Sequence, residues 1–387
     1  VRQAGFPRDP RVRREVDALR ARGHRVEVIC LRQPGEPARA ELGGVGVLRL
    51  PLAHRRAGIR RYLWEYGAFL AATAGILSLR QLRRRYDLVQ VNTLPDLLVF
   101  AALVPKLTGT PVLLDLHEVM PELASSTFGW GPHHPLVRLL ARIEQAAIRF
   151  ADGAIAVSEP CRARFVARGA RPEKLTVVMN AADPALFTVR RPPDGPNPAD
   201  APVRLVSHGT LVPRYGFDVL LRALAALPAA RLEILGDGEI RADLERLAGE
   251  LGVAERVTFA GFVPLQEVAA RLVRADIGVV ANRRDAFTDL VVPTKLMEYV
   301  ALGLPAVVAR TPAVEAYFDE QMVAYFCPGD PTDLARVLGG LMAEPVRRAR
   351  LTACAGARFQ AHHDGTAEAA RYVALVETLA RPADLSG

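Results

Sequence analysis

The feature that most restricts the fold is a rhythm in which short, almost wholly apolar runs recur between longer segments of helical periodicity. In the first half the runs are VEVICL (26–31), LVQVN (88–92), PVLLDL (111–116) and GAIAVS (153–158). Runs apolar on both faces, separated by enough chain for a crossover helix, are what a parallel sheet covered by helices on both sides requires. The polar segment 190–202 (RRPPDGPNPADAP), with five prolines, breaks the rhythm and reads as an extended connector. The rhythm then restarts with VRLVSHG (203–209), RLEILGDG (231–238), RVTFAGFV (256–263), DIGVVAN (276–282) and PAVVAR (305–310). A chain of 387 residues is also too long for one ordinary core. The expected fold is therefore α/β, with two doubly wound, Rossmann-like domains over residues 1–189 and 203–364. Ligands of such sheets sit beyond the carboxyl ends of the strands, so the pair is expected to face a cleft.

The start departs from this plan. A doubly wound domain opens with a buried strand, whereas here a loop-like VRQAGFPRDP runs straight into a helix at 11–22 that ends before Gly23. The first strand of the N-terminal domain is expected to be missing, at a cost in stability.

Composition narrows the function. Half of the residues are hydrophobic and 24% are charged, the balance of a folded protein. The cysteines, at 30, 161, 327 and 354, follow neither disulfide-framework nor zinc-module spacing, which fits a reducing cytoplasm. The chain does not open like a cleavable signal, and its longest uncharged apolar run, Gly67–Leu79, has 13 residues, too few to span a bilayer as a helix. The net charge of +8 is uneven: residues 1–190 carry 29 basic and 17 acidic side chains, and residues 191–387 carry 21 and 25. The basic half suits an acidic polymer, an anionic membrane surface or a phosphorylated substrate. No zinc finger, RNA-recognition signature or P-loop accompanies the charge, so nucleic acid is not expected as a partner.

Six segments, in order, carry a family resemblance: DPRVRREVDALRARGHRVEVIC (9–30), DLHEVMPEL (115–123), AIAVSEPCRARFVARGARPEKLTVVMNAADPALF (154–187), HGTLVPRYGFDVLLRAL (208–224), LEILGDGE (232–239) and PTKLMEYVALGLPAVVA (293–309). Together they resemble the retaining, nucleotide-sugar-dependent glycosyltransferases of family four, which have GT-B architecture. The resemblance implies an acceptor-side N-terminal domain, a donor-binding C-terminal domain and a helix at 365–387 that returns to the first domain. It also implies transfer of a hexose-type sugar with retention.

Chemistry concentrates in the block 285–305. Thr294, before the apolar-periodic KLMEYVAL, marks a helix N-terminus, where free backbone N–H groups and the dipole favour phosphate. Lys295 adds a positive charge. Glu298, a turn further on, is a carboxylate able to accept hydrogen bonds from vicinal hydroxyls, and the resemblance assigns it the donor ribose. The family has a second acid eight positions earlier, where this chain has Leu290; Asp289 is the adjacent candidate to replace it. In HGTLVPRYG the glycines, Gly209 first, allow close approach of a ligand to the backbone. The arginine and lysine that relatives carry in this turn are here Thr210 and Tyr215, which leaves Arg214 as the strong cation. Arg214 and Lys295 are the pair expected to neutralise a leaving diphosphate. Gly261 and Val263 lie where another strand ends at the same rim, and the resemblance makes them candidates to support the base. His117, closing a strand in DLHE, stands where the family places a histidine near the donor sugar. The catalytic candidates are thus His117, Arg214 and Lys295.

No Asp-X-Asp triplet occurs, so no metal and no cofactor are expected. On the acceptor side the candidates are Gly5, Arg11 and Arg14. The stretch 54–86, with basic ends, Trp64 and an apolar middle, reads either as an interfacial helix on anionic lipid or as a crossover helix packed on the sheet. The first reading suits a lipid-linked or cell-envelope saccharide acceptor and a cytoplasmic protein at the inner face of a membrane. The competing readings are a GT-B nucleotide-sugar epimerase, a noncatalytic nucleotide-sugar-binding protein and, last, a nucleic-acid binder.

Overall fold

The computed structural model describes residues 1–7, 9–52, 59–187 and 201–380, the side chains of residues 59–63 and of Gln360 excepted. The expected connector 190–202 therefore lies outside the described residues apart from Ala201 and Pro202, as do Arg8, the first part of the 54–86 stretch and residues 381–387. The chain divides into two compact units, one of residues 1–179 with 368–387 and the other of residues 180–367. The first crossing falls at Met179, ten positions before the boundary expected from the prolines (189 − 179).

Unit 1 holds strands β1 (Glu27–Leu31), β2 (Arg39–Leu42), β3 (Val45–Leu50), β4 (Val89–Asn92), β5 (Val112–Leu116), β6 (Gly153–Ala156) and β7 (Leu175–Val177), with helices α1 (Pro10–Ala21), α2 (Ile59–Arg83), α3 (Leu103–Leu107), α4 (Met120–Phe128), α5 (Pro135–Phe150) and α6 (Glu159–Ala167). The strands form two groups, β1-β3-β2 and the parallel β4-β5-β6-β7. Residues 1–4 run between them. Arg2 N donates to Ile29 O at 3.0 Å and Leu31 N to Ala4 O at 3.1 Å on one side, and Asn92 N donates to Val1 O at 2.9 Å on the other. No strand precedes α1 among the described residues, as expected; residues 1–4 form only an isolated parallel bridge, Arg2 with Asn92, and bond backbone groups of β1 and β4. The hairpin partners β2 and β3 carry no apolar run long enough to be read from sequence.

Helix α1 starts after Asp9, whose side chain accepts from the backbone N–H groups of Arg11 and Val12, the usual relief for unsatisfied helix-start donors. Helix α2 is a crossover helix whose inner face is a strict four-residue repeat of buried side chains, Glu65, Phe69, Thr73, Leu77 and Gln81. The helix Gly365–Ala380 packs Tyr372, Val373 and Val376 against Leu113 and Ile155 of unit 1. Its Tyr372 hydroxyl donates to Gln90 Oε1 at 2.6 Å.

Unit 2 is one six-stranded, wholly parallel sheet of β8 (Val203–His208), β9 (Ala230–Leu235), β10 (Val257–Gly261), β11 (Ile277–Val280), β12 (Ala306–Ala309) and β13 (Ala324–Phe326), in the order β10-β9-β8-β11-β12-β13. Helices α7 (Phe217–Ala225), α8 (Arg241–Glu250), α9 (Leu265–Leu272) and α10 (Thr294–Leu302) belong to its layers. Strands β11 and β12 are buried along their whole length. The strand order reverses at β8, so the crevice between the loops after β8 and β11 is the position where such sheets hold ligands.

Candidate functional site

In unit 2 the backbone comes first. The turn after β8 places Gly209 at φ +128°, a conformation open to glycine. Its carbonyl oxygen lies where a side chain on Gly236, at the end of β9, would have its Cβ only 1.9 Å away. Gly236 N in turn donates to Gly261 O at 2.8 Å. Gly209, Gly236 and Gly261 thus line the carboxyl edges of β8, β9 and β10, leaving backbone where side chains would close the crevice. Val263, two residues beyond β10, is half-buried.

Helix α10 begins at Thr294, as its periodicity predicts, and its N-cap is Pro293, with no side chain capping the first turn. Its opening N–H groups therefore have no side-chain acceptor, the electrostatic condition for an anion site. Thr294 itself is exposed, whereas Lys295 is buried to 8% exposure. The Lys295 ammonium has no hydrogen-bond partner and lies 4.9 Å from the ring centre of Tyr215 and 5.2 Å from that of Phe217. Burial pushes its pKa down to about 8, with the Glu298 charge pulling the other way. Tyr215, at the turn position where relatives carry a lysine, offers its aromatic face to the lysine of α10 instead.

Glu298 is also buried, and His208 Nε2 lies 2.5 Å from its Oε2. His208 Nδ1 is 3.2 Å from the hydroxyl of Tyr299, which is fully buried. A Cβ on Gly278 of β11 would stand 2.6 Å from the Tyr299 ring, so the glycine makes room for the tyrosine that steadies His208. His208 and Tyr299 were not candidates from sequence. The available signal was the histidine at the last position of a strand facing a helix with a carboxylate.

Other candidates sit differently. Arg214 is half-buried in the turn, with its guanidinium 5.6 Å from the Phe287 ring. Asp289 does not stand open as a replacement acid: both carboxylate oxygens lie 3.0 Å from Arg284 Nε. Leu290 is buried, so the acid of the family pattern is exchanged for a core side chain.

In unit 1, His117 follows β5 and is held by Asp115 Oδ2 at 3.0 Å from its Nε2, while its backbone N–H donates to Thr93 Oγ1 at 3.0 Å. Burial lowers the His117 pKa against the opposing pull of Asp115. Asp115 is wholly buried; burial alone would raise its pKa, but Arg11 and His117 hold it well below the carboxylate range. Arg11 grips both Asp115 oxygens at 2.8 Å and donates to Val178 O at 3.2 Å. This corrects its assignment to the acceptor side: Arg11 is an internal cation that fixes the His117 partner. Arg14 is half-buried one turn along, and Gly5 lies against Gln33, whose side chain would be 3.1 Å from an added Cβ.

Comparison with known proteins bears on the family and the fold. Residues 9–181 match the family described as a glycosyl transferase 4-like domain, and residues 202–344 match glycosyl transferases group 1. Over 155 residues the chain is 34% identical to the lipopolysaccharide core biosynthesis glycosyltransferase LpsE of Rhizobium meliloti, covering 40% of this chain and 43% of that one. The chain spans about two fifths of the length of the first curated relatives it matches. Among solved structures it is similar to sucrose-phosphate synthase of Thermosynechococcus elongatus, with a TM-score of 0.78 at 20% identity over 98% of this chain and 96% of that one. It is likewise similar to Anabaena HepE in complex with UDP and glucose, with a TM-score of 0.73 at 18% identity over 98% of both chains.

Proposed function

The chain belongs to the family-four-like glycosyltransferases of GT-B fold, and from that premise we propose that it transfers a hexose-type sugar from a nucleoside diphosphate donor to a saccharide, with retention of configuration. The observation that carries the donor reading is Lys295, a buried ammonium without a hydrogen-bond partner at the uncapped start of α10, one turn from the buried carboxylate Glu298. A diphosphate meets the ammonium and the helix N–H groups, while ribose hydroxyls donate to Glu298. The solved structure of Anabaena HepE with UDP supports a nucleotide of this kind.

In the reaction the bond from the sugar's anomeric carbon to the diphosphate oxygen breaks, and its electron pair leaves with the diphosphate. A bond from that carbon to an acceptor hydroxyl oxygen forms, and the hydroxyl proton is released. Lys295, Arg214 and the α10 dipole supply the positive potential that the leaving group needs, so the proposal requires no metal. His117, held by Asp115, is the residue of unit 1 proposed to hydrogen-bond sugar hydroxyls. The acceptor is proposed to be a lipid-linked or cell-envelope saccharide, as the name of the Rhizobium relative suggests, met at the cytoplasmic face of a membrane.

The test is calorimetric titration with UDP, GDP, dTDP and ADP and their sugars, with and without EDTA. One diphosphate is expected to bind equally well in both conditions. Glu298→Ala should weaken that binding by about tenfold or more, the loss of a charge-assisted hydrogen bond. Unchanged affinity in Glu298→Ala would remove the ribose assignment.

A further inference from the structure

Lys295 and Glu298 stand three residues apart on α10, a spacing that brings side chains together on one helix face. Both are buried, their charges are opposite, and the Glu298 charge is felt at the ammonium. Two such groups ordinarily close into an ion pair, because a buried charge without a partner is costly. Here they do not. Lys295 Nζ has no hydrogen-bond partner and lies instead beside the rings of Tyr215 and Phe217. The turn after β8 keeps the two apart. A Cβ on Gly209 would stand 3.6 Å from Lys295 Nζ, so the ammonium lies over this glycine. The residue before it, His208, takes the carboxylate, with Nε2 2.5 Å from Glu298 Oε2.

A carboxylate only accepts hydrogen bonds, so Nε2 is the donor and the imidazole is steadied from its other nitrogen. Nδ1 lies 3.2 Å from the Tyr299 hydroxyl, and the two rings meet edge to face with their centres 5.4 Å apart. Tyr299 is fully buried in the space that Gly278 leaves, so the ring that anchors His208 is itself fixed. The bond to Glu298 is charge-assisted and therefore stronger than a neutral one. It engages Oε2 and leaves Oε1 without a hydrogen bond among the described residues. We infer that His208 is a positioning residue that holds Glu298 apart from Lys295, so that the carboxylate stays open to ribose hydroxyls and the ammonium to the diphosphate. Without His208 the carboxylate closes on the ammonium, and each cancels the charge that the donor needs. The inference deepens the proposed donor site and rests on the roles given there to Lys295 and Glu298.

The experiment is calorimetric titration of the whole chain with inorganic pyrophosphate and with UDP, GDP and ADP, each beside its 2′-deoxy counterpart. The wild type is expected to prefer the ribose form about tenfold or more. His208→Leu should weaken pyrophosphate binding about tenfold and shrink the ribose preference, because both charges are then spent on each other. His208→Gln, whose amide N–H replaces Nε2 as donor to Glu298, should keep most of both. Adding Glu298→Ala to His208→Leu should restore pyrophosphate binding to the wild-type level without restoring the ribose preference, a rescue that a merely structural role for His208 does not produce and that shows the double variant to be folded. His208→Leu that binds pyrophosphate undiminished overturns the inference, as does a loss that Glu298→Ala fails to rescue. A ribose preference that survives Glu298→Ala alone removes the ribose assignment, whereas the rescue with pyrophosphate still establishes that His208 keeps the two charges apart. Wild-type protein that binds neither pyrophosphate nor any of the nucleoside diphosphates removes the donor reading, and the positioning role with it.

Discussion

A buried ammonium that lacks a hydrogen bond is a liability in the free protein, and Lys295 shows what it is kept for. Its pKa falls from 10.5 to about 8 because burial disfavours the charge, so the folded state is destabilised by this group wherever the lysine must stay protonated. The sign follows from the direction of the shift. The cost is fully present below pH 8 and vanishes as pH rises toward the unfolded value. Lys295→Met should therefore raise stability at pH 7 by about 1 to 3 kcal/mol, after allowance for the lost contacts with Tyr215 and Phe217. The same variant should lose diphosphate affinity. Denaturant unfolding at pH 7 beside calorimetry with the diphosphate that the wild type binds would check both, and a variant that still binds it normally would remove Lys295 from the phosphate site. Of this cluster, Lys295, Glu298 and Gly209 were legible from residue type and spacing. His208 and Tyr299 were not, because they reach Glu298 from a strand end and a helix face that only the folded sheet brings together.

At the scale of elements, the turns and helices of unit 1 enclose acids that are poorly placed for charge. Asp96 opens the short helix Asp96–Ala102 and is buried, as is Glu144 of α5. Burial, then the Glu144 charge, pushes the Asp96 pKa up to about 8, and burial pushes Glu144 up to about 7 against the pull of Arg168. Both carboxyls bind protons in the folded state that the unfolded chain has already released, so stability falls as pH rises from about 4 through 8. Asp96→Asn should flatten this dependence and raise stability at pH 8.5 by about 2 kcal/mol or more. Unfolding midpoints at pH 5 and pH 8.5 measure it, and an unchanged slope in the variant would show that Asp96 does not titrate in this range. Helix α2 makes the related point about faces. Its sequence supported both a crossover and an interfacial reading, and the structure shows an inner face built for the first.

For the whole molecule, the two units should respond separately. Unit 1 is closed by the helix Gly365–Ala380, which the chain reaches only after completing unit 2. Tyr372→Ala removes a buried ring and the hydrogen bond to Gln90, so it should lower the unfolding transition of unit 1 by about 3 kcal/mol while leaving that of unit 2 in place. The diphosphate that binds should raise only the second transition, because the proposed donor site lies within unit 2. Calorimetric scans that show both transitions moving together would contradict this independence.

The sequence by itself determined the class of fold, nine of the strands, the start of α10 and the glycines at the carboxyl edges. Those features depend on periodicity and on residue types at fixed spacing, which neighbouring residues alone establish. Only the tertiary structure decided that residues 1–4 bond backbone groups of both β1 and β4, that Arg11 is an internal ligand of Asp115 and that Asp289 is tied to Arg284. Each of these is a choice of partner for a charged or hydrogen-bonding group. Such choices depend on which chain segments fold against one another, and no local pattern records them.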